Sequence, residues 1–273
     1  MTPKPKISLI VISRDEEEHI GQCLRSAWFC DELILVDSFS TDRTVEIAKS
    51  CGAKVIVEDW KGYAAQKNSA IDKAGGEWVL SLDADEEADE DLVAHIGQLI
   101  LGWQRNTRKD KDPVFQITVV ASTIGGFWIR RKNEFLGRWI KHGGFWPDPK
   151  LRLFRRGAGK FEDRAVHEDL QINGKTGLIR IGALLHHSYP TLSDYIDHMN
   201  RYSSLGAEMV VAKGQRGFSV FNIVIRPAAT FLYNYAFRLG FLDGREGLLL
   251  HLYHAVYVSW KYAKAWELAR KKV

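Results

Sequence analysis

The sequence has few cysteines and lacks the short motifs that identify zinc sites and two common nucleotide-binding loops. Its three cysteines form no CxxC pair, which disfavours a disulfide framework and a cysteine zinc site and favours reduced thiols in a cytoplasm. No GxGxxG follows the first apolar run, and no GxxxxGK[ST] occurs anywhere. Dinucleotide-binding and P-loop folds are therefore disfavoured.

Long apolar runs are also missing. The amino terminus has only a short apolar run that continues into the polar string ISRDEEE, which is not typical of a secretory signal. Residues 247–259 carry no formal charge but are fewer than the ~18 to 20 residues that a spanning helix needs. We therefore expect a cytoplasmic chain that does not cross the membrane.

Charge is unevenly distributed along the 273 residues, although the net charge is only +4. Residues 201–273 contain 11 Lys and Arg against 4 Asp and Glu, whereas residues 1–200 contain 27 against 30. The basic segment is also aromatic and aliphatic, which is typical of a helical region that lies on an anionic membrane surface. Packing against the rest of the chain is the alternative, and nucleic acid is not expected because no reader module appears.

Four β-branched runs alternate with helical patterns in the first third of the chain. The runs are residues 7–13, 32–37, 53–59 and 77–85. This alternation predicts a parallel sheet with helices on both faces. Ligands of such sheets bind at the carboxyl ends of the strands.

Acidic residues stand at those carboxyl ends, namely Asp15, Glu16, Asp37, Asp59, Asp83 and Asp85. Gathered in one crevice they would repel one another unless a cation or hydrogen-bond donors occupied it. Residues two apart in a strand share a face, so the last two carboxylates are predicted to reach one divalent cation, which would hold a diphosphate. Capping of the following helices is the alternative explanation of these acids.

Three segments resemble a known family: SLIVISRDEEEHIGQCLRSA, ELILVDSFSTDRTVEIA and GYAAQKNSAIDKAGGEWVLSLDADEE. They are similar to the nucleotide-binding half of inverting family-two glycosyltransferases, and more narrowly to bacterial lipopolysaccharide-core β-1,4-glucosyltransferases. The resemblance implies an α/β GT-A fold, a Rossmann-like mixed sheet flanked by helices, with a C-terminal helical extension. It implies a catalytic domain over residues 1–200, with a nucleotide half (1–103) and an acceptor half (113–200), followed by the helical region 201–273.

The resemblance also implies roles for individual residues around a UDP-sugar donor and a divalent metal, Mg²⁺ or Mn²⁺. Asp15 or Glu16 would meet the base, together with Asp37. Lys67 and Asn68 would lie near the nucleotide. The DXD pair would be Asp83 and Asp85, and His186 would complete the metal or pyrophosphate shell.

On the acceptor side, the string FEDRAVHEDL holds the predicted catalytic base. Inverting transfer is a single displacement, so one carboxylate must take the proton of the acceptor hydroxyl. Glu168 matches the family's position for this base, with Asp169 and Asp163 as alternatives. Arg152, inside the string LRLF, is the arginine that we expect to face the crevice.

These residues predict a metal-dependent enzyme that moves a hexose, with glucose as the expected sugar, from a UDP-sugar to a lipopolysaccharide inner-core sugar. We expect it to work as a peripheral protein at the inner face of the cytoplasmic membrane. A lipid carrier of exopolysaccharide, a protein acceptor, or sugar-nucleotide binding without catalysis are the alternatives. A processive synthase is disfavoured because the sequence has no QxxRW.

Overall fold

A computed structural model describes residues 6–100, 124–162, 169–214 and 218–271. The chain divides into two compact units. The sheet unit comprises Met1–Arg131, Pro149–Asp163 and Glu168–His186, and the helical unit comprises Lys132–Asp148, Arg164–His167 and His187–Val273. The predicted domain division near residue 200 stays a prediction.

The sheet unit is organised around a mixed β-sheet whose first strands are parallel. The strands of the described chain are β1 Ile7–Ser13, β2 Glu32–Asp37, β3 Lys54–Val57, β4 Trp78–Asp83, β5 Glu86–Ala88, β6 Ile124–Phe135, β7 Arg138–Trp139, β8 Lys150–Arg155, β9 Gly159–Glu162, β10 Asp169–Ile172 and β11 Lys175–Tyr189. The order is β3-β2-β1-β4-β8-β6-β11-β5, β7 pairs with β6, and β9 and β10 form a separate hairpin. Strands β1 to β4 pair in parallel, as predicted, whereas β8 joins β4 in the antiparallel sense.

Both faces of the central strand β1 are buried, which explains its continuous apolar sequence. Leu9 and Val11 point to one side and pack with Leu24 of helix α1, whereas Ile10 points to the other side and packs with Ile71 of helix α3. The helices of this unit are α1 Ile20–Ser26, α2 Thr44–Ser50, α3 Tyr63–Lys73 and α4 Glu90–Leu99. The two cores fix the strands so that the carboxyl ends of β1, β2 and β4 share one edge of the sheet.

The helical unit contains the predicted C-terminal helices. They are α5 Leu192–Ala212, α6 Arg226–Leu232 and α7 Gly244–Lys271, with π-helical turns at Phe221–Ile225 and Tyr233–Phe237 and a 3₁₀ turn at Gly240–Asp243. A capping box between Thr191 and Asp194 starts α5 by satisfying its first backbone donors. Ala207 on α5 packs with Val258 and Tyr262 on α7. Within the described residues, no helix has both the length and the apolar character needed to cross a bilayer.

Candidate active site

The loops that follow β1 and β2 are bound to each other by two of the predicted acidic residues. The Asp15 amide donates to Ser40 Oγ over 2.8 Å, and the Thr41 amide donates to Asp15 Oδ1 over 2.7 Å. Asp37 is buried; Ser13 Oγ donates to its Oδ1 over 2.9 Å, and the Ser40 amide donates to its Oδ2 over 2.9 Å. Asp15 and Asp37 therefore shape this edge of the sheet.

Asp83, the last residue of β4, lies between two cationic side chains. Lys67 Nζ, contributed by α3, is 2.7 Å from Asp83 Oδ1, and the Arg152 guanidinium contacts Asp83 Oδ2 from β8. Burial raises the pKa of the Asp83 carboxyl, but the charges of Arg152 and Lys67 outweigh burial and hold this pKa well below its usual range. Asp83 is consequently an ionised, doubly paired carboxylate.

Glu86 is a member of this cluster that the sequence analysis missed. It is fully buried at the start of β5 and accepts from Arg152 over 2.7 Å and from Arg131 over 3.1 Å. The Asp83 amide donates to Glu86 Oε2 over 3.1 Å. In the sequence, DADEE has the appearance of a solvated acidic turn. The arginines Arg131 on β6 and Arg152 on β8 could have indicated Glu86, because arginines buried in a sheet need an anionic partner.

Asp85 lies in the turn after β4, because the strand ends at Asp83. The prediction that these two carboxylates share one strand face is therefore wrong. Asp85 instead faces β11, where His186 Nε2 is 3.2 Å from Asp85 Oδ2. Burial raises the pKa of Asp85, but the hydrogen bond and charge of His186 outweigh burial and lower it. An anionic oxygen and an imidazole nitrogen are thus held side by side.

The end of β1 lies close to the end of β4, because the Glu16 carboxyl that follows β1 is affected by the charges of Asp83 and Asp85. Burial, followed by the charges of Asp85, Asp42, Asp83 and Asp15, raises the pKa of the Glu16 carboxyl to about 7. Desolvation is the main cause of this raised pKa, and repulsion by the neighbouring carboxylates is the second. A cation placed at this edge would relieve that repulsion.

The donor atoms at this edge fit a hard divalent cation. Asp85 offers a carboxylate oxygen, the ligand type that Mg²⁺ and Mn²⁺ prefer, and the His186 imidazole nitrogen lies beside it. Both oxygens of Asp83 are already engaged by Lys67 and Arg152. In the parts of the chain that the structure describes, no group of three or more His, Cys, Asp or Glu side chains forms a metal site alone. Oxygen atoms of a bound diphosphate and water would have to complete the coordination.

The remaining predicted residues fall in two places. The Asn68 carboxamide makes two hydrogen bonds to the Phe161 backbone, of 2.8 and 2.9 Å, and so attaches α3 to β9. Its contact with the nucleotide stays a prediction. Glu168 and Asp163 lie outside the described residues, and Asp169 opens β10 and accepts from the side chain of Gln171. The assignment of the base therefore stays a prediction.

The segment that carries this acidic edge matches a known family. The family model described as glycosyl transferase family 2 matches residues 8–159, which include β1 to β4 and the ends of those strands. The chain belongs to glycosyl transferase family 2. The prediction of the family from the sequence is confirmed.

Similar proteins extend over nearly the whole family-2 chain. The lipopolysaccharide core biosynthesis glycosyltransferase LpsC of Rhizobium meliloti (strain 1021) is 29% identical over 274 residues, covering 98% of this chain and 94% of that protein. An uncharacterized glycosyltransferase of Rickettsia typhi is 31% identical over 276 residues, covering 97% and 88%.

A solved structure supports the fold. A mannosyltransferase from Pyrobaculum calidifontis, in complex with GDP-Man and Mn²⁺, has a TM-score of 0.50 at 15% identity, covering 97% of this chain and 88% of that one. The predicted GT-A fold with a C-terminal helical region is confirmed.

Proposed function

We propose that this family-2 enzyme is an inverting transferase that moves glucose from UDP-glucose to an inner-core sugar of lipopolysaccharide. We place it at the inner face of the cytoplasmic membrane, where a lipid-linked acceptor would be presented. The similarity to LpsC, a lipopolysaccharide core biosynthesis glycosyltransferase, supports the acceptor class. The observation that carries the proposal is the pair Asp85 and His186, 3.2 Å apart, with Asp85 two residues along the chain from Asp83. Asp83 itself is held by the buried cations Lys67 and Arg152.

The donor half of the reaction follows from these charges. Asp85 and His186 would hold Mg²⁺ or Mn²⁺, and the metal would neutralise charge on the leaving diphosphate. Lys67 and Arg152 keep Asp83 ionised and add positive charge to the edge where the diphosphate would bind. The loops fixed by Asp15 and Asp37 would surround the uracil and the ribose.

The acceptor half requires one proton transfer. As the acceptor oxygen bonds to the anomeric carbon, the bond from that carbon to the diphosphate oxygen breaks. The proton of the acceptor hydroxyl passes to a carboxylate, for which we propose Glu168. A carboxamide at this position would leave donor binding intact and remove the proton acceptor.

Radiolabelled UDP-glucose, Mn²⁺ and two alternative acceptors test the proposal. We expect label in rough lipopolysaccharide and none in a lipid-diphosphate sugar. Asp85→Asn should reduce transfer about 100-fold, whereas Asp72→Asn, the same change on the exposed side of α3, should not. Glu168→Gln should lose turnover and still bind UDP in calorimetry.

Two results would contradict this assignment. Label in the lipid-diphosphate sugar alone would exclude the lipopolysaccharide acceptor. Absence of transfer to either acceptor, together with no heat on titration with UDP and Mn²⁺, would exclude donor use altogether.

A further inference from the structure

Among its described residues, the helical unit carries an apolar face that the rest of the unit leaves exposed. From residue 221 to residue 237 the chain is continuously helical, through two π-helical turns and α6. Its exposed large apolar side chains follow helical spacing: Phe221, Val224, Ile225, Leu232, Tyr233 and Phe237. Ala228 and Ala229, also exposed, fill the gap in this stripe. Helices of soluble domains normally turn polar residues outward at such positions.

The opposite side of the same helix is firmly packed. Ile223 packs against the cluster formed by Val258 and Tyr262 of α7. Ser259 Oγ donates to the Ile223 carbonyl over 3.0 Å, and Pro227 is buried. The orientation of the helix is therefore fixed by its inner side, and the apolar stripe is held outward by the fold.

The exposed surface continues beyond the helix and contains two positive charges. Leu239, Phe241 and Leu242 are exposed in the following turn. We call residues 218–242 the apolar surface. Arg226 and Arg238 are its charged residues, both exposed, and it contains no Asp or Glu. The Arg238 guanidinium lies over the Tyr233 ring at 5.9 Å. The Arg226 guanidinium lies 5.5 Å from the centre of the Phe221 ring and also contacts Tyr262 of α7.

This combination fits the boundary between headgroups and acyl chains of an anionic bilayer. There, apolar side chains enter the hydrocarbon, tyrosine lies at the interface, and arginines reach phosphate. We propose that the apolar surface inserts into anionic phospholipid and holds the enzyme where its lipid-linked acceptor is presented. The role of this contact in holding the enzyme near its acceptor rests on the proposed function. The insertion of the apolar surface into phospholipid is argued from the exposed residues alone. A second copy of the same chain fits less well, because a two-fold contact of this surface with itself would bring together four arginines and no carboxylate.

Vesicle sedimentation with the full chain tests the contact. Phosphatidylglycerol–phosphatidylethanolamine vesicles should sediment the wild type, and phosphatidylcholine vesicles should do so far less. The variant Val224→Ser/Leu232→Ser/Phe237→Ser changes three exposed side chains without changing charge, and should weaken binding about 10-fold or more. Leu178→Ser/Ile181→Ser is the matched control on β11, since Ile181 and Leu232 are each 53% exposed. That control should bind like the wild type.

Three further readouts separate the explanations. The melting temperature of the triple variant should stay close to that of the wild type, because each replaced side chain is more than half exposed. Equal vesicle binding by the triple variant and the wild type would overturn the proposal. So would a wild-type dimer that the triple variant converts to a monomer without any vesicle binding. UDP binding and transfer to a soluble core oligosaccharide report on the proposed function separately. Vesicle binding without UDP binding or transfer would support the lipid contact and contradict the proposed function. UDP binding and transfer without vesicle binding would contradict the lipid contact.

Discussion

Replacing Arg152 by methionine would remove the guanidinium that joins two carboxylates of the acidic edge. Arg152 is buried and contacts both Asp83 and Glu86. Breaking a buried ion pair by removing one partner costs about 3 to 5 kcal/mol. Here Asp83 keeps Lys67 and Glu86 keeps Arg131, so we expect the lower end, about 3 kcal/mol. At roughly 2 to 4 °C per kcal/mol, the melting temperature should fall by about 6 to 12 °C.

Thermal denaturation followed by circular dichroism measures this loss, and Arg155→Met supplies the control. Arg155 lies on the same strand, but its ion pair with Glu77 is partly exposed. Its other contacts are a 3.3 Å hydrogen bond to the Ile124 carbonyl and stacking over Trp78, so its removal should cost less, about 1 to 2 kcal/mol. Equal shifts for the two variants would refute the reasoning. The pKa of Asp83 is depressed, so its pairing stabilises the fold above the ordinary Asp pKa and is lost as pH falls through the depressed value. The difference in melting temperature between the wild type and Arg152→Met should therefore be largest at neutral pH and decrease only in strong acid.

Three other predictions concern Glu16, Asn68 and Gly143. The pKa of Glu16 is raised from 4.5 to about 7, so its ionisation costs stability as pH rises through that interval. The stability of Glu16→Gln relative to the wild type should therefore increase between about pH 4.5 and about pH 7 and stay constant above it. Asn68→Ala removes both hydrogen bonds to the β9 backbone and should lower the free energy of unfolding by about 1 to 3 kcal/mol in urea titration. Gly143→Ala would place a methyl group 2.0 Å from His251, whereas Gly137→Ala meets nothing within 4 Å. Since both glycines have positive φ, only the first variant should lose more than the roughly 1 to 2 kcal/mol of backbone strain.

Each of these predictions has a result that contradicts it. A pH-independent difference between Glu16→Gln and the wild type would show that Glu16 does not titrate near neutrality. An unchanged urea midpoint for Asn68→Ala would mean that α3 and β9 do not depend on this carboxamide. Equal melting temperatures for the two glycine variants would show that His251 yields without cost.

Local patterns in the sequence were sufficient to predict the parallel part of the sheet. Strand β1 and strand β2 have the predicted bounds, because each is a short apolar run between polar turns. Strand β3, Lys54–Val57, lies within the predicted run 53–59. Burial on both faces and the alternation with helices leave few other arrangements for such runs.

The partners within the acidic edge could not be predicted in the same way. Arg131 and Arg152 are 45 and 66 residues from Glu86 along the chain, and no local pattern encodes that pairing. Asp85 has the spacing of a strand residue but lies in a turn, because Glu86 begins a new strand that pairs with β11. Long-range strand pairing therefore determines which carboxylate meets which cation.

The two neighbouring histidines of β11 have separate partners. His186 lies beside Asp85 in the sheet unit, and His187 Nδ1 is 2.7 Å from Glu134 Oε2 in the helical unit. A slip of the strand by one residue in one direction would bring His187 to the place of His186, so that Asp85 would still meet an imidazole. A slip in the other direction would bring Leu185 there instead. The doublet therefore keeps an imidazole beside Asp85 after a slip in one direction but not in the other, although either slip would also reverse the faces of the rest of the strand.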